Sequence, residues 1–203
     1  MYAVVLAAGR GERFGGDKLL APWRGHPLLW HALAGVRSAV DAGALRGGCV
    51  VVPESAPGLE RLAREAGLRA VPNRVASSGI GSSIRAGFEW LGRSAADGPA
   101  AAAIFLGDQP TVPPAVLDRL IEAWNGGEKP VVRPQYSEAR DQPGHPIVMD
   151  RSLWRLGLEL TGDAGLGTLL AARGIPVLSL PVAGRNPDVD TPTDLTNLEG
   201  NTR

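Results

Sequence analysis

The stretch that most constrains this chain is its first, Val4-Val5-Leu6-Ala7-Ala8-Gly9-Arg10-Gly11-Glu12-Arg13-Phe14-Gly15-Gly16-Asp17-Lys18. An apolar, β-branched start predicts a buried strand. It runs directly into a loop with four glycines and three cations, Arg10, Arg13 and Lys18. Glycine lets a backbone take φ > 0 and come close to a ligand. Successive N–H groups in such a loop form an anion-binding nest. Ordering this many glycines and cations is unfavourable without an anion to hold them, so the pattern predicts polyphosphate binding. It is neither of two better-known phosphate loops. Where G-x-G-x-x-G needs its third glycine, Gly15 arrives one place late. Where G-x-x-x-x-G-K-[ST] needs lysine after glycine, Asp17 intervenes, and Leu19 replaces the hydroxyl residue.

Downstream, short apolar runs alternate with amphipathic segments. Helical spacing predicts helices over Leu28–Ala42, Pro57–Ala66 and Ile84–Leu91, one opened by Pro113-Pro114 and running through Trp124, and one ending at Leu169–Arg173. A last helix opens at Thr191-Pro192-Thr193-Asp194, which has the capping-box form. Strands are predicted at Gly48–Val52, Leu68–Val71, Ala100–Leu106, Pro130–Val132, Pro146–Val148 and Pro176–Leu180. This alternation implies an α/β fold with a mostly parallel sheet. At 203 residues the chain reads as a single domain, 1–203. Ligands of open α/β sheets gather beyond the carboxyl ends of the strands. The loops Ala7–Lys18, Asn73–Ser83, Gly107–Pro110 and Arg185–Asp190 all follow strands, which predicts one composite site.

Composition removes several classes of function. Lys+Arg 21 balances Asp+Glu 21, so no global field favours nucleic acid or an acidic membrane, and any anion site must be local. The one cysteine, Cys49, precedes Val50-Val51-Val52; it reads as core, and a lone thiol fits a reducing cytoplasm. The first apolar run lacks a basic flank and ends at Gly9, so it reads as a strand rather than a leader, and no run is long enough to span a membrane.

Several residues could carry chemistry. Asp108, after Gly107 at the end of a strongly apolar run, can reach outward to a cation, although Gly-Asp with Pro110 nearby is also ordinary turn chemistry. Asp188 and Asp190 share one side of an extended segment, while Asp194 is explained as a helix cap. The small residues from Val75 to Gly87 leave room for a planar base, with Ser83 either a contact or the N-cap of the next helix. His145, bracketed by Pro143 and Pro146, reads equally as structural or as a ligand contact. His26 and His31 have no partners at metal-ligand spacing.

Leu6-Ala7-Ala8-Gly9-x-Gly11-x-Arg13-Phe14-Gly15-x-x-Lys18 resembles the signature loop of nucleotidyltransferases that share a glycosyltransferase-A-like fold. Gly107-Asp108-Gln109-Pro110, Gly144-His145-Pro146 and Asp190-Thr191-Pro192-x-Asp194-Leu195 extend the resemblance over nearly the whole chain, and within the group it is most similar to the molybdenum cofactor cytidylyltransferase branch. The resemblance implies a three-layer α/β/α Rossmann-like fold and transfer of CMP from CTP to a phosphorylated acceptor, molybdopterin or its molybdenum-loaded form. It implies Mg²⁺ on Asp108 and Asp190, with Asp188 the alternative, and catalytic roles for Arg13, Lys18 and Asp108. The nucleotide would touch Leu6, Ala7, Ala8, Gly9, Gly11, Arg13, Lys18, Ser78, Gly79 and Ser83, and the acceptor His145. Ala8 stands where guanylyltransferases carry a second glycine, and its Cβ favours a pyrimidine. Gly162-Asp163-Ala164-Gly165 matches only part of a G-D-x-G-A-R element, with Gly167 in place of the arginine. A molybdoenzyme or chaperone is the implied partner. Another NTP, a phosphosugar or phosphoalcohol acceptor, and a non-catalytic cofactor-delivery role are the alternatives.

Overall fold

The computed structural model describes residues 1–9, 11–94 and 100–200. Strand β1 (Tyr2–Leu6) leads into the glycine loop, and a small hairpin, β2 (Pro22–Trp23) and β3 (His26–Pro27), precedes α1 (Leu28–Asp41). Then come β4 (Gly48–Pro53), α2 (Pro57–Glu65), β5 (Arg69–Asn73), α3 (Ile80–Ser94), β6 (Ala101–Leu106) and α4 (Pro114–Asn125). The chain closes with β7 (Val131–Tyr136), β8 (Ile147–Asp150), α5 (Trp154–Gly157), α6 (Leu166–Ala172), β9 (Val177–Val182) and α7 (Pro192–Gly200).

Seven strands form one sheet in the order β5-β4-β1-β6-β8-β7-β9. All pairings are parallel except those of β8, which runs against both β6 and β7. The alternation of the strand sends neighbouring side chains to opposite faces. Ala3, Val5, Val50 and Val52 meet α1 and α2 on one face, where α4 and α7 also pack. Val4, Leu6, Cys49 and Val51 meet α3 on the other, with α5 and α6. The central strands are therefore covered on both sides, which is why they read as unbroken apolar runs. Cys49 is fully buried, and burial pushes its thiol well above the usual range.

Several elements depart from the sequence reading, among them the short helix α5, which it did not predict. Helix α3 begins at Ile80 rather than Ile84. Ser82 and Ser83 lie inside its first turns, not at a cap, and the Asn73 side-chain amide donates to both hydroxyls at 2.8 and 3.1 Å. Strand β7 continues through Pro134 to Tyr136, in register with β9. It pairs with β8 only at Val131 and Val132, so its other side needs no N–H from Pro134. The β2–β3 hairpin turns through Arg24 (φ 48°) and Gly25 (φ 81°), two positive-φ positions of the kind that match strand twist.

Candidate active site

From β1 the chain moves out to β4 and β5, then returns to place β6 on the opposite flank of β1. Such a reversal opens a crevice beyond the carboxyl ends of the strands. A cavity of about 620 Å³ lies there, and its walls include Leu6 and Leu106, the last residues of β1 and β6. All four loops singled out from the sequence contribute to it.

The glycine loop folds back on itself: Gly11 (φ 60°) accepts hydrogen bonds at its carbonyl from the N–H groups of Phe14 and Gly16. The turn delivers Lys18, which is buried, into the crevice. Its ammonium donates to Asp108 at 2.7 Å and to Asp190 at 3.1 Å. Arg13 donates to the other oxygen of Asp190 at 3.1 Å. Burial pulls the Lys18 ammonium down, but the two carboxylates outweigh it and hold its pKa above the ordinary lysine value.

A buried amide network aligns the two carboxylate loops. Gln109 donates to Asp188 at 2.7 Å and accepts from Asn186 at 2.7 Å. The N–H of Val189 donates to the Asp108 carbonyl at 3.1 Å. Burial, then the neighbouring Asp108, raises the pKa of Asp188. At the end of β5, Asn73 also accepts from the Val75 N–H at 3.0 Å, so one buried side chain ties this strand to the start of α3.

A second cavity of about 660 Å³ adjoins the first, and Leu6, Ile80, Leu106 and Asp188 border both. His145 lines it. The residue is half-buried overall, but its Nδ1 is sealed from solvent without a hydrogen-bond partner. Its carbonyl is fixed by the Tyr136 hydroxyl at 3.0 Å. Burial, then Arg133, pushes the imidazole down to about 4, so it is neutral at physiological pH.

Of the residues singled out for the nucleotide and its chemistry, Leu6, Ala8, Gly9, Gly11, Arg13, Lys18, Gly79, Ser83, Asp108 and Asp190 line the first cavity. Ala7 does not: it is buried on the α1 face, and its N–H donates to Val51. Strand alternation, which sends Leu6 and Ala8 one way, sends Ala7 the other. Ser78 does not either; its hydroxyl is turned back onto the Val75 carbonyl at 2.8 Å, and Ser77 takes the wall position. Arg10 lies outside the described residues. The cavity also includes Asp163, noted in the sequence only as part of the Gly162–Gly165 element and not as a cavity residue, because it comes from a turn between α5 and α6 rather than after a strand.

The donor set fits a small divalent cation. Two carboxylates already converge on one positive group, and among the described residues no cluster of three or more His, Cys, Asp or Glu side chains forms a full protein cage. Mg²⁺ is bound in this way, by one or two carboxylates completed with phosphate oxygens and water.

A crevice at a switch point, with a glycine-rich loop, paired carboxylates and an adjoining second chamber, is where an open α/β sheet takes its ligands. Residues 3–177 match the family model described as the MobA-like NTP transferase domain, and the chain belongs to this nucleotidyltransferase family. It is 31% identical over 147 residues to the probable molybdenum cofactor guanylyltransferase of Thermococcus kodakarensis, covering 71% of this chain and 64% of the relative. It is 31% identical over 138 residues to the molybdenum cofactor guanylyltransferase of Rhodobacter capsulatus, covering 67% and 65%. The matched region thus spans just under two thirds of the length of each of these relatives. The crystal structure of Rv0371c from Mycobacterium tuberculosis H37Rv superposes with a TM-score of 0.80 at 29% identity over 100% of both chains. The same protein in complex with manganese gives 0.79 at 28% identity, over 99% and 98%. No helix among the described residues is long and apolar enough to cross a membrane.

Proposed function

We propose that this protein transfers CMP from CTP to the phosphate of molybdopterin and releases pyrophosphate. The observation that carries the reading is the meeting of Asp108, Asp190 and Lys18 beside the glycine loop at the switch point. A triphosphate and a phosphate acceptor repel each other, so the task is positioning and charge neutralisation rather than covalent catalysis. Asp108 and Asp190 would hold Mg²⁺, which would supply charge neutralisation at the α-phosphate when bound; the manganese complex of Rv0371c supports a divalent cation in this fold. Arg13 and the N–H groups of Gly9 and Gly11 hold the β- and γ-phosphates. Lys18 turns from the carboxylates to the phosphates and stabilises the departing pyrophosphate. The acceptor phosphate is already anionic, so attack needs no general base. The second cavity takes the acceptor, with the neutral His145 ring in its wall beside the pterin.

CTP is favoured by Ala8, whose Cβ lies in the cavity wall. A second reading, GMP transfer from GTP, is favoured by the names of the curated relatives. Pyrophosphate release from each NTP in turn, with Mg²⁺ and molybdopterin, separates them. Release with CTP is expected. Release with GTP alone moves the reading to guanylyl transfer, and release with no NTP removes it.

A further inference from the structure

The nucleotide cavity is electrically lopsided. Arg13 and Lys18 stand at the glycine loop with Asp190 and Asp108, all engaged with one another. Asp163 lines the same cavity, but is exposed and, among the described residues, has neither a hydrogen-bond nor an ion-pair partner. Its position is set by close backbone packing. The N–H of Gly81 donates to the Gly162 carbonyl at 2.9 Å. A Cβ on Gly79 would stand 2.4 Å from the Asp163 Oδ1 and 2.3 Å from the Gly162 oxygen, and Gly79 sits at φ 102°. The carboxylate is thus pressed onto the turn that opens α3, beside the small wall residues Ala76, Ser77 and Gly79. An unpaired carboxylate repels phosphates, so the nucleoside half of the ligand must face it.

We infer that Asp163 reads the base, accepting a hydrogen bond from the exocyclic amine of cytosine and rejecting uracil. The inference rests on the CTP reading above and deepens it. An ionised carboxylate accepts hydrogen bonds and donates none. Cytosine and uracil have nearly the same size, so Ala8 cannot tell them apart. They differ at C4, where cytosine carries an amine that donates and uracil a carbonyl that only accepts. A polar site that loses its partner discriminates far more strongly than a difference in volume does.

The test is calorimetric titration of the full chain and its Asp163→Asn and Asp163→Ala variants with CTP, UTP and deoxy-CTP in Mg²⁺, with circular dichroism to check the fold. The unaltered chain should bind CTP about 100-fold or more tightly than UTP. Asp163→Asn, whose amide can present either an N–H or an oxygen, should shrink that ratio at least about tenfold. Asp163→Ala should weaken CTP more than UTP. An unchanged ratio in both variants, with CTP still bound, overturns the inference and leaves the transferase reading standing. A loss of CTP-over-deoxy-CTP preference in place of CTP-over-UTP preference also overturns it, because the carboxylate then reads the ribose. Failure of the unaltered chain to bind CTP overturns both.

Discussion

Lys18 is the residue through which the site is assembled: one ammonium touches carboxylates that come from the end of β6 and from the loop after β9. Losing either carboxylate leaves a cation with half its partners and, on the proposed function, takes away one of the two groups that would hold Mg²⁺. Asp108→Asn and Asp190→Asn should each lower kcat by about 100-fold or more, with the far-UV spectrum unchanged. An active Asp108→Asn variant would remove its assigned role. His145 supports a separate, pH-dependent prediction. Its folded value of about 4 lies below the unfolded value of about 6.5. Between these values the unfolded chain binds a proton that the folded chain does not, so stability is retained above about 6.5 and lost as pH falls towards 4. Denaturant titrations at pH 7 and pH 5 should show His145 contributing about 2 kcal/mol of this loss, and His145→Phe should flatten the slope by that amount.

At the scale of elements, α7 joins stability to function. Asp194 accepts hydrogen bonds from the N–H and the hydroxyl of Thr191, at 2.7 and 2.8 Å, while its own N–H donates to that hydroxyl at 3.2 Å. This is the reciprocal cap that the Thr-Pro-Thr-Asp spacing implied. The same Asp194 oxygen accepts from the N–H of Asp190 at 3.0 Å, so the cap also fixes the backbone of a carboxylate in the site. Asp194→Ala should cost about 1 kcal/mol in thermal unfolding and lower kcat more than it raises KM. Elements held by local signals were legible: continuous apolar runs gave the strands, and Pro57 and Pro114 marked helix starts. The start of α3 was not, because a first-turn donor, the Gly81 N–H, is satisfied by the Gly162 carbonyl far along the chain, which no local signal marks. The continuation of β7 was hidden because Pro134 looks like a strand breaker until its unpaired side is known.

In the molecule as a whole, the return of the chain from β5 across to β6 makes the crevice, and the motifs are spread along the sequence only because the sheet order gathers them there. Loops after strands could be recognised in advance, since glycine, proline and aspartate mark them. Which residues of a loop face inward depended on alternation and local turns, which is why Ala7 and Ser78 fall away and Ser77 and Asp163 enter. The Gln109–Asn186 network was equally invisible, because its partners are 77 residues apart and carry no motif. The most direct test is one titration: CTP into the full chain by calorimetry, with Mg²⁺ and again with the metal chelated. The proposed function predicts one-to-one binding that depends on Mg²⁺ and disappears in the Asp108→Asn, Asp190→Asn double variant. Binding of equal strength without the metal, or in the double variant, would contradict it, as would no binding of any nucleoside triphosphate.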